Sequence, residues 1–542
     1  MNKRFSVWTV GAVMLTGMII GFQGKGLISA DNIYEQLNKF KDVLVIAEKY
    51  YVDEVDTKKL TEGAINGLIE KLDPHSVYFQ PQLSQREAEN IQGNYQGVGL
   101  SIRVLNDTVI VVEPMGGGPA ARMGILSNDR IVVIADSTAV GISVDHASRK
   151  LRGPKGTKVQ ITVVRPGVED NLVYEITRDN ISIHSVDVAL MVSDKVGYLS
   201  VNSFKVTTGA EVERALQGLS AQGMKQVVLD LRNNPGGVMD QASRLADLFL
   251  DGGAKGKPRQ IVYTKARRPE MEEADTARTG DAFEKIPVIV LVNNGSASAS
   301  EIVAGALQDW DRGLIVGETS FGKGLVQRQW SLNDGSAFRM TIARYYTPSG
   351  RLIQRAYEGK DKSSYQREAF EREEEEGENI DHKTDVKGDS ARPVFKTNAG
   401  RVVYGGGGIT PDYIVKPSTL TENTLNLLRR DMFFQFITAY LDGEGRGLRA
   451  RHSSDRNNFI RSYQISEELL AAFGSFIEQK EVTNEEKDFE KDLPFIKTRL
   501  KAFVGRAFWG NEGWYPVMLE VDTQFQKAVT LLPEAAKIAK LN

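Results

Sequence analysis

Serine, lysine and glycine follow three separate apolar runs in this chain, and together those residue types suit nucleophilic attack on a carbonyl. The first run opens into Asn293-Asn-Gly-Ser-Ala-Ser-Ala-Ser-Glu-Ile302, in which Ser296, Ser298 and Ser300 alternate with alanines. Small neighbours let a carbonyl approach closely, and a helix starting here would favour developing negative charge at its N-terminus. A helix-capping serine, with Glu301 in the first turn, fits the same stretch equally well. The second run leads into Gly317-Glu-Thr-Ser-Phe-Gly-Lys-Gly-Leu-Val-Gln327. Lys323 between two glycines suits a surface turn. It also suits a general base, because desolvation disfavours the charged ammonium and lets a neutral amine take a serine proton. Gln327 would then orient the amine. The third run, Val227-Val-Leu-Asp-Leu-Arg-Asn-Asn-Pro-Gly-Gly237, ends in glycines whose amides are able to turn inward as an oxyanion hole. Parallel sheets gather the carboxyl ends of their strands at one edge, so three such junctions belong together.

Other chemistries find less support. The five histidines, His75, His146, His184, His382 and His452, lie outside the three junctions, so a Ser-His-Asp triad has no local partner; His75 reads as a structural or substrate-path residue. No His/Asp/Glu cluster has metal-ligand spacing, and no cofactor is expected. Gly405-Gly-Gly-Gly408 lacks the Lys-Ser/Thr of a phosphate loop. The absence of cysteine excludes disulfides, thiolate metal sites and a cysteine nucleophile. A formal net charge of −3 without a basic face argues against nucleic acid as a partner.

The elements that must position these residues follow from texture. Lys3 and Arg4 before an apolar run from Phe5 to Phe22 read as a secretion signal or a membrane anchor over 1–30. Residues 31–82 carry helical periodicity. Residues 83–180 hold short β-rich runs with a helix pattern at Asp145–Leu151, as expected of a small β-barrel. From 181 to 417 strands and helices alternate, which indicates a mainly parallel α/β sheet. Within it, 358–392 reads as a solvated acidic loop. Residues 418–542 are amphipathic and helical.

Taken in order, Asp230-Leu-Arg-Asn-Asn-Pro-Gly-Gly237, Ser296-Ala-Ser-Ala-Ser-Glu-Ile302 and Gly322-Lys-Gly-Leu-Val-Gln327 resemble the motifs of the carboxy-terminal processing, or tail-specific, proteases. The resemblance spans roughly residues 35–417. It implies a crotonase/Clp-protease-like core with an inserted PDZ domain and flanking helical segments. It implies Ser298 as nucleophile, Lys323 as general base and Gln327 as its orienting partner. Ala299 N–H and a glycine amide, at Gly236 or Gly237, would form the oxyanion hole. Tyr95-Gln-Gly-Val-Gly-Leu-Ser-Ile102 resembles a PDZ carboxylate-binding loop, so Gly97, Val98, Gly99 and Leu100 are expected to hold a substrate's C-terminal carboxylate. The family's Gly-Asp turn is Asn128-Asp129 here, and Asn tolerates the left-handed backbone the turn requires. The expected partners are protein or peptide substrates with a free C-terminus, an adaptor or activator, and a second copy of the chain. The expected location is exported and periplasmic, in solution or anchored to the inner membrane. Two rivals stay open at this point: a PDZ adaptor without catalysis, and an acyl-CoA-type enzyme on the same core.

Overall fold

The computed structural model describes residues 28–542 except 281, 373, 381–391, 453, 483, 484 and 542, with side chains from residue 33 onward. The Lys3–Phe22 segment lies outside the described residues. Among the described residues no helix is long and apolar enough to cross a membrane. The chain falls into two units, divided between Tyr78 and Phe79. In the first, helices span Ile28–Tyr50 and Thr57–Glu70. Asp56 caps the second by accepting the N–H groups of Lys58 and Lys59 at 3.0 and 3.2 Å. Leu37, Phe40 and Val43 on the first helix are exposed.

The second unit begins with a helix, Pro81–Gln92, which runs past the boundary expected at residue 82. One antiparallel sheet then carries the strands Leu100–Leu105, Thr108–Pro114, Arg130–Ile134, Lys158–Val164 and Leu172–Thr177, paired in that order. Leu100–Leu105 is at the edge, beside the helix Val144–Leu151. Period-two alternation sends Val109, Val111, Val159, Ile161 and Val163 inward against Ala147 and Leu151. Asn128 adopts φ 73°, the left-handed turn anticipated for it. Asp129 beside it is buried and takes two guanidinium bonds of 2.7 Å from Arg165.

The core is a seven-stranded sheet. The core and the hairpin beside it comprise, in chain order, β1 Val186–Met191, β2 Val196–Val201, α1 Thr208–Ala221, β3 Gln226–Asp230, α2 Met239–Asp247, β4 Val288–Val292, α3 Ala299–Asp309, β5 Leu314–Gly317, β6 Leu325–Ser331, β7 Ala337–Tyr346, β8 Gly377–Glu378 and β9 Tyr413–Ile414. The sheet order is β1-β2-β3-β4-β5-β9-β8. The five inner strands are parallel and both edge strands antiparallel. The inner strands are largely apolar because both faces are covered, with Ser200 and Asp230 as buried polar exceptions on β2 and β3. Leu199, Val227, Leu229, Val290 and Ile315 pack on α1, α2 and α3. Tyr198, Val228, Ile289, Leu291 and Val316 pack on the opposite layer, formed by Leu519 and the last helix, α4 Thr523–Ile538. The β6–β7 hairpin pairs with Gln260–Ala266 in a second sheet.

Two expectations are revised. The acidic stretch is not a plain solvated loop. Helix Lys362–Phe370 interrupts it, with Tyr365 and Ala369 buried, and β8 pairs with β9. Thr319 N–H donates to Glu374 at 3.0 Å, so some of its acids serve as acceptors for the core. Nor do residues 418–542 form one region. Helices between Glu422 and Trp509 enclose their own core, including Phe433, Phe436, Phe473, Ile496 and Leu500. That bundle meets the small β-barrel through Arg103–Asp431 and Arg130–Asp442 pairs. The chain leaves the sheet at Val415 and rejoins it from Asn511, where Asn511 and Tyr515 donate to Asp187 of β1 at 3.1 Å, before α4. Gln524 donates to the Val415 carbonyl at 2.7 Å and Thr523 to the Lys416 carbonyl at 3.1 Å.

Candidate active site

β4 ends at Val292, and the backbone turns through six residues into α3. Ser298 stands at the N-cap of α3 with φ 54° and ψ −111°. That conformation is rare for a residue with a Cβ and persists only where its surroundings hold it. The neighbours do so. The Ser298 N–H donates to Glu301 Oε2 at 2.8 Å. Its carbonyl accepts the N–H groups of Glu301 and Ile302 and, at 3.0 Å, the Tyr345 hydroxyl from β7. The three serines separate cleanly. Ser296 is fully buried and donates to the Leu231 carbonyl at 2.7 Å, and Ser300 likewise to Asn234 at 2.9 Å. Both stitch the turn after β4 to the turn after β3. Ser298 lines a cleft of about 770 Å³.

Lys323 lies in the loop after β5 and lines the same cleft, as do Gln327, Gly236 and Gly237. Its Nζ donates to Gln327 Oε1 at 2.9 Å. Its backbone N–H donates to Glu301 Oε2 at 2.9 Å. One carboxylate oxygen therefore accepts from both the serine and the lysine backbones. The other oxygen, Oε1, accepts Gly322 N–H at 2.7 Å and the Ser320 hydroxyl at 2.5 Å. Glu301 is completely buried, and that burial pushes its carboxyl above the usual range against the pull of these four donors. Sequence reasoning placed Glu301 only in a first helical turn. The Ser-x-x-Glu spacing was the available signal, since a carboxylate at that position reaches back to the cap N–H.

Gly236 and Gly237 follow β3 with φ 94° and 146°. A Cβ on Gly236 would lie 2.8 Å from both Ser298 Cβ and Ala299 N, and one on Gly237 would lie 2.0 Å from the Phe204 carbonyl oxygen. Only glycine fits either position. The two amides differ in use. Gly236 N–H donates to Asn234 Oδ1 at 2.9 Å. The N–H groups of Gly237 and Ala299 have no hydrogen-bond acceptor among the described residues. Phe204, Met239, Ile302, Leu325 and Val326 give the cleft an apolar stretch of wall, while Glu87 and Arg339 place charge on it. Lys205 also borders the cleft. Its amine donates to the His184 carbonyl at 3.3 Å and to Asn202 Oδ1 at 3.1 Å, and burial lowers its pKa.

The second candidate group lies in the β-barrel. Val98 and Leu100 are buried, whereas Gly99 has φ 76°. The Val98 carbonyl accepts Ala120 N–H at 2.9 Å and the Gly99 carbonyl accepts Met115 N–H at 3.0 Å, fixing the loop from behind. The edge strand Leu100–Leu105 continues from it, with the Arg152 guanidinium 4.3 Å from the Tyr95 ring centre near the loop's start. Among the described residues, no cluster of three or more His, Asp or Glu side chains has the geometry to hold a metal ion.

Comparison with known proteins agrees with this architecture. Residues 195–359 match peptidase family S41, residues 110–165 a PDZ domain, and residues 22–82 the N-terminal domain of the activating protease CtpB. Residues 424–510 match a family of unknown function. A carboxy-terminal-processing protease from Bartonella bacilliformis is 37% identical over 358 residues, which is 65% of this chain and 81% of that protein. The carboxy-terminal processing protease CtpA of Bacillus subtilis is 33% identical over 359 residues, covering 65% and 74%. A solved photosystem II D1 C-terminal processing protease shares 29% identity over 58% of this chain and 89% of its own, with a TM-score of 0.33. The chain belongs to the carboxy-terminal-processing serine proteases of peptidase family S41.

Proposed function

We propose that this peptidase cleaves internal peptide bonds with a Ser298/Lys323 dyad after its PDZ domain has captured the substrate's C-terminal tail. The observation that carries this reading is the shared Glu301 oxygen, which ties the backbones of both residues to one buried acceptor. Ser298 attacks the peptide carbonyl while the neutral Lys323 amine takes its proton. Gln327 accepts from that amine and holds it in line. Negative charge builds on the carbonyl oxygen and meets the amides of Gly237 and Ala299, the two donors with no internal acceptor; Gly236 N–H is already engaged by Asn234. Lys323 returns the proton to the leaving amine, and water then hydrolyses the acyl-enzyme.

In this reading the loop at Gly97, Val98, Gly99 and Leu100 binds a terminal carboxylate, and the tail adds as a strand beside Leu100–Leu105. An exported location belongs to the same proposal through the Lys3–Phe22 segment. So does a homodimer, supported by the exposed Leu37, Phe40 and Val43 stripe and by the frequency of twofold assemblies.

The direct test is digestion of an unfolded protein ending in an apolar tail, compared between the wild type and Ser298→Ala. Cleavage that survives in the variant would remove the dyad. Tail capture is tested by amidating the same C-terminus. Loss of the carboxylate is expected to raise KM by about tenfold or more, since a charge-assisted bond is worth roughly 1.5–3 kcal/mol. Equal KM for acid and amide tails would take the PDZ loop out of the mechanism.

A further inference from the structure

The turn that carries Gly237 is anchored to a residue far along the chain. Arg232, two residues past the end of β3, is largely buried and engages all five of its guanidinium N–H groups. Nε and Nη2 reach Asp230 at 3.0 and 2.6 Å. Nη2 and Nη1 reach the two Asp522 oxygens at 2.7 and 3.0 Å, and Nη1 also reaches Gln524 Oε1 at 2.8 Å. Asp230 in turn accepts the Tyr198 hydroxyl at 2.7 Å, and the Tyr198 ring packs edge-on against Phe525 of α4.

The oxyanion turn starts at the next residue. Asn233 has φ 56°, and its N–H donates to Asn293 Oδ1 at 2.8 Å. Asn234 is buried, donates to the Val201 carbonyl at 2.8 Å and accepts Gly236 N–H at 2.9 Å. The stretch is therefore held at its far end by the Asn234 side chain and by the Phe204 backbone, whose N–H donates to the Gly236 carbonyl at 2.9 Å, and at its near end by Asn293 and Arg232. A guanidinium in this setting needs both carboxylates. With one removed, buried donors lose their acceptors and the side chain turns toward water, taking its backbone with it. Oxyanion donors lose much of their effect when displaced by a fraction of an ångström.

We propose that Asp522, at the start of the last helix, is a positioning residue that holds the oxyanion turn Asn233–Gly237 in register through Arg232. This rests on the reading of Gly237 and Ala299 as the oxyanion donors. It gives the segment that follows the helical bundle a part in catalysis beyond covering the sheet.

The test compares full-length wild type, Ser298→Ala, Asp522→Asn and Arg232→Lys. Asn at 522 still caps α4, where Asp522 now accepts Phe525 N–H at 3.0 Å, so it removes the charge while sparing the helix start. Measured quantities are kcat and KM on a peptide with a free tail, the affinity of a peptide aldehyde that forms a tetrahedral adduct, and the melting temperature. Asp522→Asn is expected to lower kcat and aldehyde affinity together by about tenfold or more, with KM within twofold. Arg232→Lys, which keeps the charge but loses the fork, is expected to move the same two quantities and carries the test if Asp522→Asn does not fold. Wild-type kcat and aldehyde affinity in either folded variant, or a loss confined to KM or to melting, overturns the positioning role alone. A wild-type chain without Ser298-dependent cleavage overturns the functional reading and this proposal with it.

Discussion

Lys323→Ala is expected to lower peptide cleavage by about 10²–10⁴-fold while leaving capture of a free C-terminal tail unchanged. The loss follows from the geometry around the amine. The histidines lie outside the three motif junctions, and Gln327, which receives the lysine amine at 2.9 Å, has no basicity to replace it. The Lys323 backbone N–H would still reach Glu301 in the variant, so the loop should keep its place. That separates loss of the base from loss of the fold. Because only the unprotonated amine can act, the wild-type rate should rise with pH when chemistry limits turnover, and the alanine variant should lose that rise. Near-normal turnover in Lys323→Ala, or a flat profile in the wild type, would sink the dyad. Tail binding is read separately, by titrating a labelled peptide onto the variant.

The second large effect is expected at Glu301. Replacement by Gln preserves volume but exchanges one carboxylate oxygen for an NH₂ group. Four donors now point at this carboxylate: the Ser298, Gly322 and Lys323 N–H groups and the Ser320 hydroxyl. Whichever way the amide turns, it opposes a donor with a donor. A buried unsatisfied group costs about 1–3 kcal/mol, so Glu301→Gln should lose roughly 2–5 kcal/mol of stability in urea unfolding. It should also lose activity beyond that cost, at least about 10²-fold in kcat for molecules that remain folded, because the serine and lysine backbones lose their common acceptor. Retention of wild-type kcat by the folded variant would show that Glu301 serves stability alone.

These two residues also mark what was legible in the sequence. Ser298, Lys323 and the glycine pair stood out because each follows an apolar strand, and a parallel sheet collects strand ends on one edge. The inner strands were readable from their apolar runs, Val227–Leu229 and Val288–Val292 among them, a consequence of burial on both faces. Ser296 and Ser300 could not be told from Ser298 by type, since only the turn after β3 decides which hydroxyls find carbonyls. Glu301 looked like a favourable first-turn charge because its partners at residues 320–323 lie on another strand's loop. Asp522 was invisible for the same reason at greater range; nothing local marks it as a partner of Arg232. The acidic stretch misled through composition. Its charges suggest solvation, yet Tyr365 and Ala369 are buried and Glu374 accepts a core N–H. Helical periodicity after 418 likewise could not show that α4 packs on the sheet while its predecessors pack on one another.

The hydrogen bonds from Gln524 and Thr523 to Val415 and Lys416 put the exit and the return of the intervening helices side by side. Joining two neighbouring points by a short loop or by a folded insert differs little in closure entropy. The Glu422–Trp509 bundle is thus a cassette set between Val415 and the segment from Asn511 onward, which returns to the sheet through Asn511 and Tyr515 bonds of 3.1 Å to Asp187 of β1. A short glycine-serine bridge in its place should leave the catalytic sheet closed and Ser298-dependent cleavage present, while the PDZ domain, without Asp431 and Asp442 to hold Arg103 and Arg130, would swing more widely.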